Sequence, residues 1–156
     1  SRKLKFDLTI IRPFNIYGER YKWQGKYSQA IPMLVNKVIK AKKDIEVWGS
    51  GNQQRNYLHA KDCAEIMYKI FKKKYTKTPV NIGYEETIKM KDLVLKISKL
   101  LKKKLLLKFD KSKPEGRFVK SSNSNLLKKI TQNYKPRIDL EDGLKLMIKW
   151  HGQNFR

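Results

Sequence analysis

The chain has 156 residues, with 30 lysines and seven arginines against 14 acidic residues, giving a formal net charge of +23 at pH 7. That length suits one domain with a real core, and 40% hydrophobic content separates it from a disordered polyelectrolyte. A lone cysteine, Cys63, excludes an intrachain disulfide and a cysteine metal cluster. With no apolar run of membrane-spanning length and no signal-type opening, a cytoplasmic protein is expected.

Leu8–Ile11 is an apolar, β-branched run that predicts a buried parallel strand, running into Arg12-Pro13 and closing at Tyr17-Gly18. Glu19–Lys26 reads as a polar loop with aromatics. Ile31, Leu34, Val35 and Val38 recur at helical spacing and predict a helix from about Gln29 to Ala41, with Pro32 tolerated only in its first turn. Ile45–Trp48 reads as a strand, Gly49-Ser50-Gly51 as a turn, and Arg55–His59 as a second strand. A helix over Asp62–Phe71 follows, with Ala64, Met67, Tyr68 and Phe71 on one face and Cys63 on an apolar face. After a loop over Lys72–Thr78 come a strand at Val80–Ile82 and a clear amphipathic helix over Met90–Leu101, with Leu93, Val94, Ile97 and Leu101 inward. Leu105–Phe109 reads as a strand, Asp110–Ser122 as a long loop, and Asn125–Thr131 as a short helix. The last helix spans Leu140–His151, N-capped by Asp139 with Asp142 three residues on. Strands alternating with helices give an α/β class, with no internal repeat and no flexible linker, so residues 1–156 read as one domain.

The lysines concentrate in helices and at their ends, as in Lys37, Lys40, Lys42 and Lys43, or Lys99, Lys102, Lys103 and Lys104. A solvated face is the plain reading. Attraction of nucleic acid, an anionic membrane or a doubly charged nucleotide sugar is the sharper one. No recognition-helix or zinc-finger pattern supports specific nucleic-acid binding.

Three stretches carry chemistry: Arg12-Pro13-Phe14-Asn15-Ile16-Tyr17-Gly18, then Val47-Trp48-Gly49-Ser50-Gly51-Asn52-Gln53-Gln54-Arg55-Asn56-Tyr57-Leu58-His59, then Pro79-Val80-Asn81-Ile82-Gly83. Asn15 follows a strand where ligands of open α/β sheets gather, and an amide there can donate and accept. Arg55 stands at a strand start, just after a Gly-x-Gly turn, and its planar fork suits phosphate oxygens. In order and spacing the three stretches resemble the C-terminal, substrate-binding half of the extended short-chain dehydrogenase/reductase family, which includes the NAD(P)-dependent nucleotide-sugar epimerases and dehydratases. The likeness runs from Leu8 to Trp150.

The resemblance implies one or more parallel strands of a Rossmann-type sheet plus a small mixed α/β substrate-binding subdomain. It implies diphosphate contact by Arg55, preceded by Gln53 and Gln54, and a substrate-facing Asn15. The Pro13-Phe14 backbone would lie near the nicotinamide, and Trp48 would flank the nucleoside unless it is plain core. Lys113-Pro114-Glu115-Gly116-Arg117 resembles a loop that closes over the nucleotide, with Arg117 as candidate and Lys120 as its substitute. The resemblance places the family's Gly-rich cofactor loop and catalytic Tyr-x-x-x-Lys in its N-terminal half, so a missing N-terminal Rossmann half is expected, with NAD or NADP held in the full-length enzyme, itself a homodimer. No general base is identified, and this chain alone should not turn over.

Some residues depart from the pattern. GDP-mannose 3,5-epimerases carry a Glu-Lys pair where this chain has Ser28 and Gln29. Leu58-His59 resembles GDP-fucose synthases, yet Ala60-Lys61 replace acidic residues and only Asp62 is retained. Glu19 stands where proline is common. No Gly-x-Ser-x-Gly elbow occurs, and His59 and His151 have no metal-ligand spacing to each other. The expected function is therefore the nucleotide-sugar-binding portion of an NAD(P)-dependent epimerase or dehydratase, GDP-mannose-type substrates being favoured. The alternative is a basic polyanion-binding or scaffold module that kept the fold.

Overall fold

A computed structural model describes residues 8–25, 27–73 and 78–155. In chain order the elements are β1 (Ile11–Pro13), β2 (Ile16–Tyr17), α1 (Ala30–Lys40), β3 (Asp44–Trp48), β4 (Gln54–Asn56), β5 (Leu58–His59), α2 (Ala60–Lys72), β6 (Val80–Ile82), β7 (Thr87–Lys89), α3 (Met90–Leu100), β8 (Leu106–Asp110), β9 (Val119–Lys120), α4 (Asn125–Thr131) and α5 (Leu140–Asn154). The strands pair in four small sheets: β1 with β6, β2 with β5, β3 with β8, and β7-β4-β9. All pairs are parallel except β4 with β7. The expected α/β class with parallel strands is what forms.

Two apolar clusters hold these layers. The larger joins Tyr17 and Trp23 to α1, β3, α3 and α5 through residues such as Val35, Val47, Val94 and Leu144. The smaller joins Leu58, Cys63, Ile66 and Ile70 to Val80, Ile82 and Leu127. Helix α1 buries the expected stripe, and Pro32 occupies its third residue, where no intrahelical N–H is lost. Its C-terminal carbonyls are closed from outside: the Lys103 ammonium donates to the carbonyls of Val38, Ile39 and Ala41. One residue of the lysine run is therefore a helix cap rather than free surface charge.

Several expectations change. Strand β1 is parallel but begins only at Ile11 rather than Leu8, and it is not buried: Arg12 and Pro13 are exposed, as are Leu8 and Ile10 before it. The Phe14 N–H donates to Ile82 O at 2.8 Å, so the Pro13 nitrogen faces the opposite, unpaired edge and no ladder bond is lost. The stretch Arg55–His59 is two strands in different sheets, broken at Tyr57. Helix α2 turns the other way from expectation. It buries Asp62, Cys63, Ile66 and Ile70, while Met67, Tyr68 and Phe71 are exposed. Cys63 does lie on the buried face. The expected long loop after Asp110 contains β9, and β7 was not foreseen. The loop expected over Lys72–Thr78 lies partly outside the described residues. Among the described residues no helix is long and apolar enough to cross a membrane.

Candidate functional site

The strand β3 alternates, with Ile45 and Val47 inward and Glu46 and Trp48 outward. The chain then turns through Gly49 and Gly51, both at φ 71°, a region that glycine enters without strain. At Gly49 even a Cβ would lie 2.0 Å from the Glu115 side chain, so the turn and the 114–117 loop touch there. Glu115 locks that contact: its carboxylate accepts from the Ser50 N–H and, at 3.1 Å, from Ser50 Oγ.

Beyond the turn, β4 presents Arg55. Its guanidinium donates to three carbonyls, those of Gln54 (2.7 Å), Arg117 (2.7 Å) and Glu115 (3.3 Å). Arg55 and Glu115 thus clasp the 114–117 loop from two sides. Behind them lies a cavity of about 260 Å³. Asn15, Trp48, Gln53 and Arg55 all line it, together with Pro114 and Glu115 of the loop. Four of the sequence-derived candidates therefore converge on one space.

Each of the four is placed differently. Asn15 sits at φ 44°, a conformation asparagine tolerates, and donates through Nδ2 to Asn56 Oδ1 at 3.0 Å. Asn56 is fully buried and donates in turn to Tyr84 O and Ser122 Oγ, so a short polar chain fixes the Asn15 amide. Trp48 is 46% exposed, which makes it cavity wall rather than core. Gln53 is buried and donates to Trp48 O at 3.0 Å, leaving its Oε1 without a partner. Tyr17 also lines the cavity, but its Oη is a buried orphan turned toward Gly143 of α5. Burial, and after it the Asp139 carboxylate, raises the Tyr17 pKa, so its hydroxyl stays protonated. Tyr57 beside it is pushed up to about 12 by burial, against the opposing charge of Arg55. The wall thus combines neutral tyrosines, the Asn15 and Gln53 amides and the Arg55 guanidinium with the charged side chains of Lys37, Glu46 and Glu115.

The remaining candidates lie elsewhere. The Arg117 side chain is exposed and its carbonyl, not its guanidinium, meets Arg55. Lys120 is exposed on β9. Pro13 and Phe14 do not line the cavity. Pro13 has no N–H to give and the Phe14 N–H is taken by Ile82 O. Neither residue therefore has a free backbone donor at this edge. Among the described residues no cluster of His, Cys, Asp or Glu could hold a metal.

Sequence reasoning missed Lys37, Glu46, Tyr57 and Glu115 on this wall. The alternation of β3 puts Glu46 on the same face as Trp48 and was available as a signal. The role of Glu115 depends on a contact 65 residues away and had none.

The same architecture occurs in larger proteins. The family model described as "NAD dependent epimerase/dehydratase family" matches residues 1–83. GDP-L-colitose synthase of Yersinia pseudotuberculosis is 30% identical over 146 residues, covering 90% of this chain and 46% of that one. GDP-mannose 3,5-epimerase of Arabidopsis thaliana is 29% identical over 150 residues, covering 96% and 39%. In fold, the chain superposes on a GDP-L-fucose synthetase from Naegleria fowleri with a TM-score of 0.84 at 21% identity, covering 94% of this chain and 46% of that one. A UDP-glucose 4-epimerase of Thermotoga maritima, solved with UDP-glucose, gives 0.82 at 18%, covering 99% and 49%. The chain spans about half the length of the curated relatives it matches. With more than half of its residues matched by that model, this chain belongs to the NAD-dependent epimerase/dehydratase family.

Proposed function

We propose that this chain supplies the nucleotide-diphosphate-sugar-binding wall of an NAD(P)-dependent epimerase, dehydratase or reductase. The convergence of Asn15, Trp48, Gln53 and Arg55 on one cavity carries the reading. A sugar diphosphate needs a cation with fork geometry, hydroxyl-pairing groups and an aromatic flank. Arg55 would take phosphate oxygens, exchanging carbonyl partners for charge-assisted bonds. Asn15 and the orphan oxygen of Gln53 would meet hydroxyls, and Trp48 would cover the base. The 114–117 loop would shut the site. When bound in the full enzyme, NAD(P) would supply the hydride chemistry. The residues of this chain bind and orient.

Calorimetry on the isolated chain tests the reading. A nucleotide-diphosphate sugar should bind, NAD(P) should bind weakly, and mixing both should yield no turnover. Micromolar NAD binding to this chain would sink the assignment of its residues to the substrate side alone. Absence of any nucleotide-sugar binding would sink the function.

A further inference from the structure

At the far end of α3 from the cavity lies a second hollow, an open groove of about 640 Å³. Met90, at the start of that helix, borders the cavity. Lys99 lies in its last turn, roughly 14 Å along the axis. Leu95, Leu105 and Leu106 give the groove its apolar lining, and Lys99, Lys102 and Lys104 share it. Leu95 and Leu106 are 48% and 62% exposed. Exposed leucines gathered in one hollow and rimmed by charge mark an interaction site rather than scattered apolar surface. Neighbouring cations are engaged: Lys96 pairs with Glu141 at 3.1 Å, Lys108 pairs with Asp44, and Lys103 caps α1. The ammoniums of Lys99, Lys102 and Lys104 have no ion pair or hydrogen bond among the described residues. The helix dipole accounts for Lys99, but not for Lys104 or the leucines. An open strand edge adjoins them. Strand β8 starts at Leu106, and β3 is its sole neighbour among the described residues. The Leu106 N–H donates to Lys43 O and the Gly49 N–H to Asp110 O, so the backbone of Leu107 and Phe109 turns to the open edge.

We propose that this groove docks an extended acidic segment of a partner protein, one that carries apolar side chains among its carboxylates. Strand addition to the open edge of β8 supplies main-chain hydrogen bonds through Leu107 and Phe109. Carboxylates of the segment pair with the three unpartnered ammoniums, and its apolar side chains cover Leu95 and Leu106. Lysines on an edge strand also serve to discourage pairing; the exposed leucines beside them are what call for an occupant. The groove has no arginine and no aromatic lining on which a base could stack, which disfavours nucleic acid. Its leucines line a hollow, whereas an interfacial membrane anchor presents its apolar side chains as a projecting face. A second copy of the chain brings +23 of its own and is repelled. An acidic segment with apolar side chains answers the charge, the lining and the open edge together. The inference does not depend on what the cavity binds.

Fluorescence anisotropy at physiological ionic strength tests this with two short labelled peptides of equal charge, one alternating glutamate with leucine, the other glutamate with serine. The leucine peptide should bind about tenfold or more tighter, as burial of its side chains implies. Changing Lys99→Gln, Lys102→Gln and Lys104→Gln together should weaken it about tenfold or more. Changing Lys72→Gln, Lys129→Gln and Lys149→Gln together removes the same charge from exposed positions on α2, α4 and α5 and should do little. Leu106→Ser should narrow the difference between the two peptides, with folding checked by circular dichroism in every variant. If the leucine peptide does not bind, if the two peptides bind the unmodified chain alike, or if both lysine sets weaken binding equally, the groove is only part of a general lysine field and the inference is overturned. Tighter binding of duplex DNA or of phosphatidylserine vesicles, lost with the three groove lysines, overturns it in favour of those partners.

Discussion

Arg55 carries more than one duty, and its substitution separates them. Its nitrogens now tie β4 to the carbonyls of Glu115 and Arg117, so the residue proposed to meet the diphosphate also holds the loop that would cover it. In a full-length enzyme, Arg55→Ala should raise KM for the nucleotide sugar about tenfold to a hundredfold while leaving NAD(P) affinity nearly unchanged, as loss of a charge-assisted bond worth roughly 1.5–3 kcal/mol implies. Arg55→Lys should recover only part, because an ammonium lacks the fork. Lys72→Ala, at the exposed end of α2, is the control in steady-state kinetics, and equal behaviour of the two alanine variants would remove Arg55 from the site. The spacing of Gln53, Gln54 and Arg55 behind a Gly-x-Gly turn made this residue legible. Gly143 shows the opposite case. It sits inside α5, where glycine is usually a cost, and its reason is that a Cβ would lie 1.9 Å from Tyr17 Oη. A contact spanning that much sequence leaves no local trace.

At the scale of elements, helices were more legible than strands. The expected limits of α1, α3 and α4 fall within a residue or so of those observed, because an apolar stripe of period 3.6 is written locally. The N-cap of α5 was equally legible: Asp139 accepts the Asp142 N–H at 2.8 Å. Strands β7 and β9 have two or three residues each and exist because β4 lies between them; pairing of that kind has no periodicity to read. The α2 face failed for a related reason. Its apolar residues cover most of its circumference, and the partner surface chose Cys63, Ile66 and Ile70 over Met67 and Phe71. Burial of Asp62 on that same face is the clue to what the helix does. The carboxylate accepts from the Arg137 N–H at 2.9 Å, the Ile138 N–H at 3.0 Å and Tyr134 Oη at 3.0 Å, pinning the segment that leads into α5. Asp62→Ala would strand two backbone donors and should lower stability by about 2–4 kcal/mol. Urea unfolding checks the loss, and an unchanged midpoint would mean the segment is held by other contacts.

For the whole molecule, the charge of +23 suggests that acid should weaken it through repulsion, but two histidines give acidification a sharper mechanism. His59 is buried at the N-cap of α2, where its Nδ1 accepts the Lys61 N–H at 3.3 Å. Protonating that nitrogen would break the cap and place a cation at the positive end of a helix dipole. Glu19 Oε2 lies 3.2 Å from Nε2 but out of line for a hydrogen bond. Burial lowers the His59 pKa, with Glu19 and Asp62 opposing and Lys61 assisting. His151 is packed against Trp23 and Phe155, and burial, then the charge of Lys40, lowers its pKa too. Both groups titrate near 6.5 in the unfolded chain and below that when folded. The unfolded state therefore binds protons that the folded state refuses. The stability from neutral burial is complete above about pH 6.5 and is lost as pH falls through the lower folded values, at most about 1.4 kcal/mol per pH unit for each histidine. Thermal midpoints measured from pH 8 to pH 5 should be level at first and then decline. His59→Gln and His151→Gln should each flatten the decline relative to the unmodified chain, while general charge repulsion, common to all three, cancels in the comparison. A decline of the same steepness in both variants would assign acid sensitivity to the lysine field alone, and would mean that neither imidazole is held neutral by its surroundings.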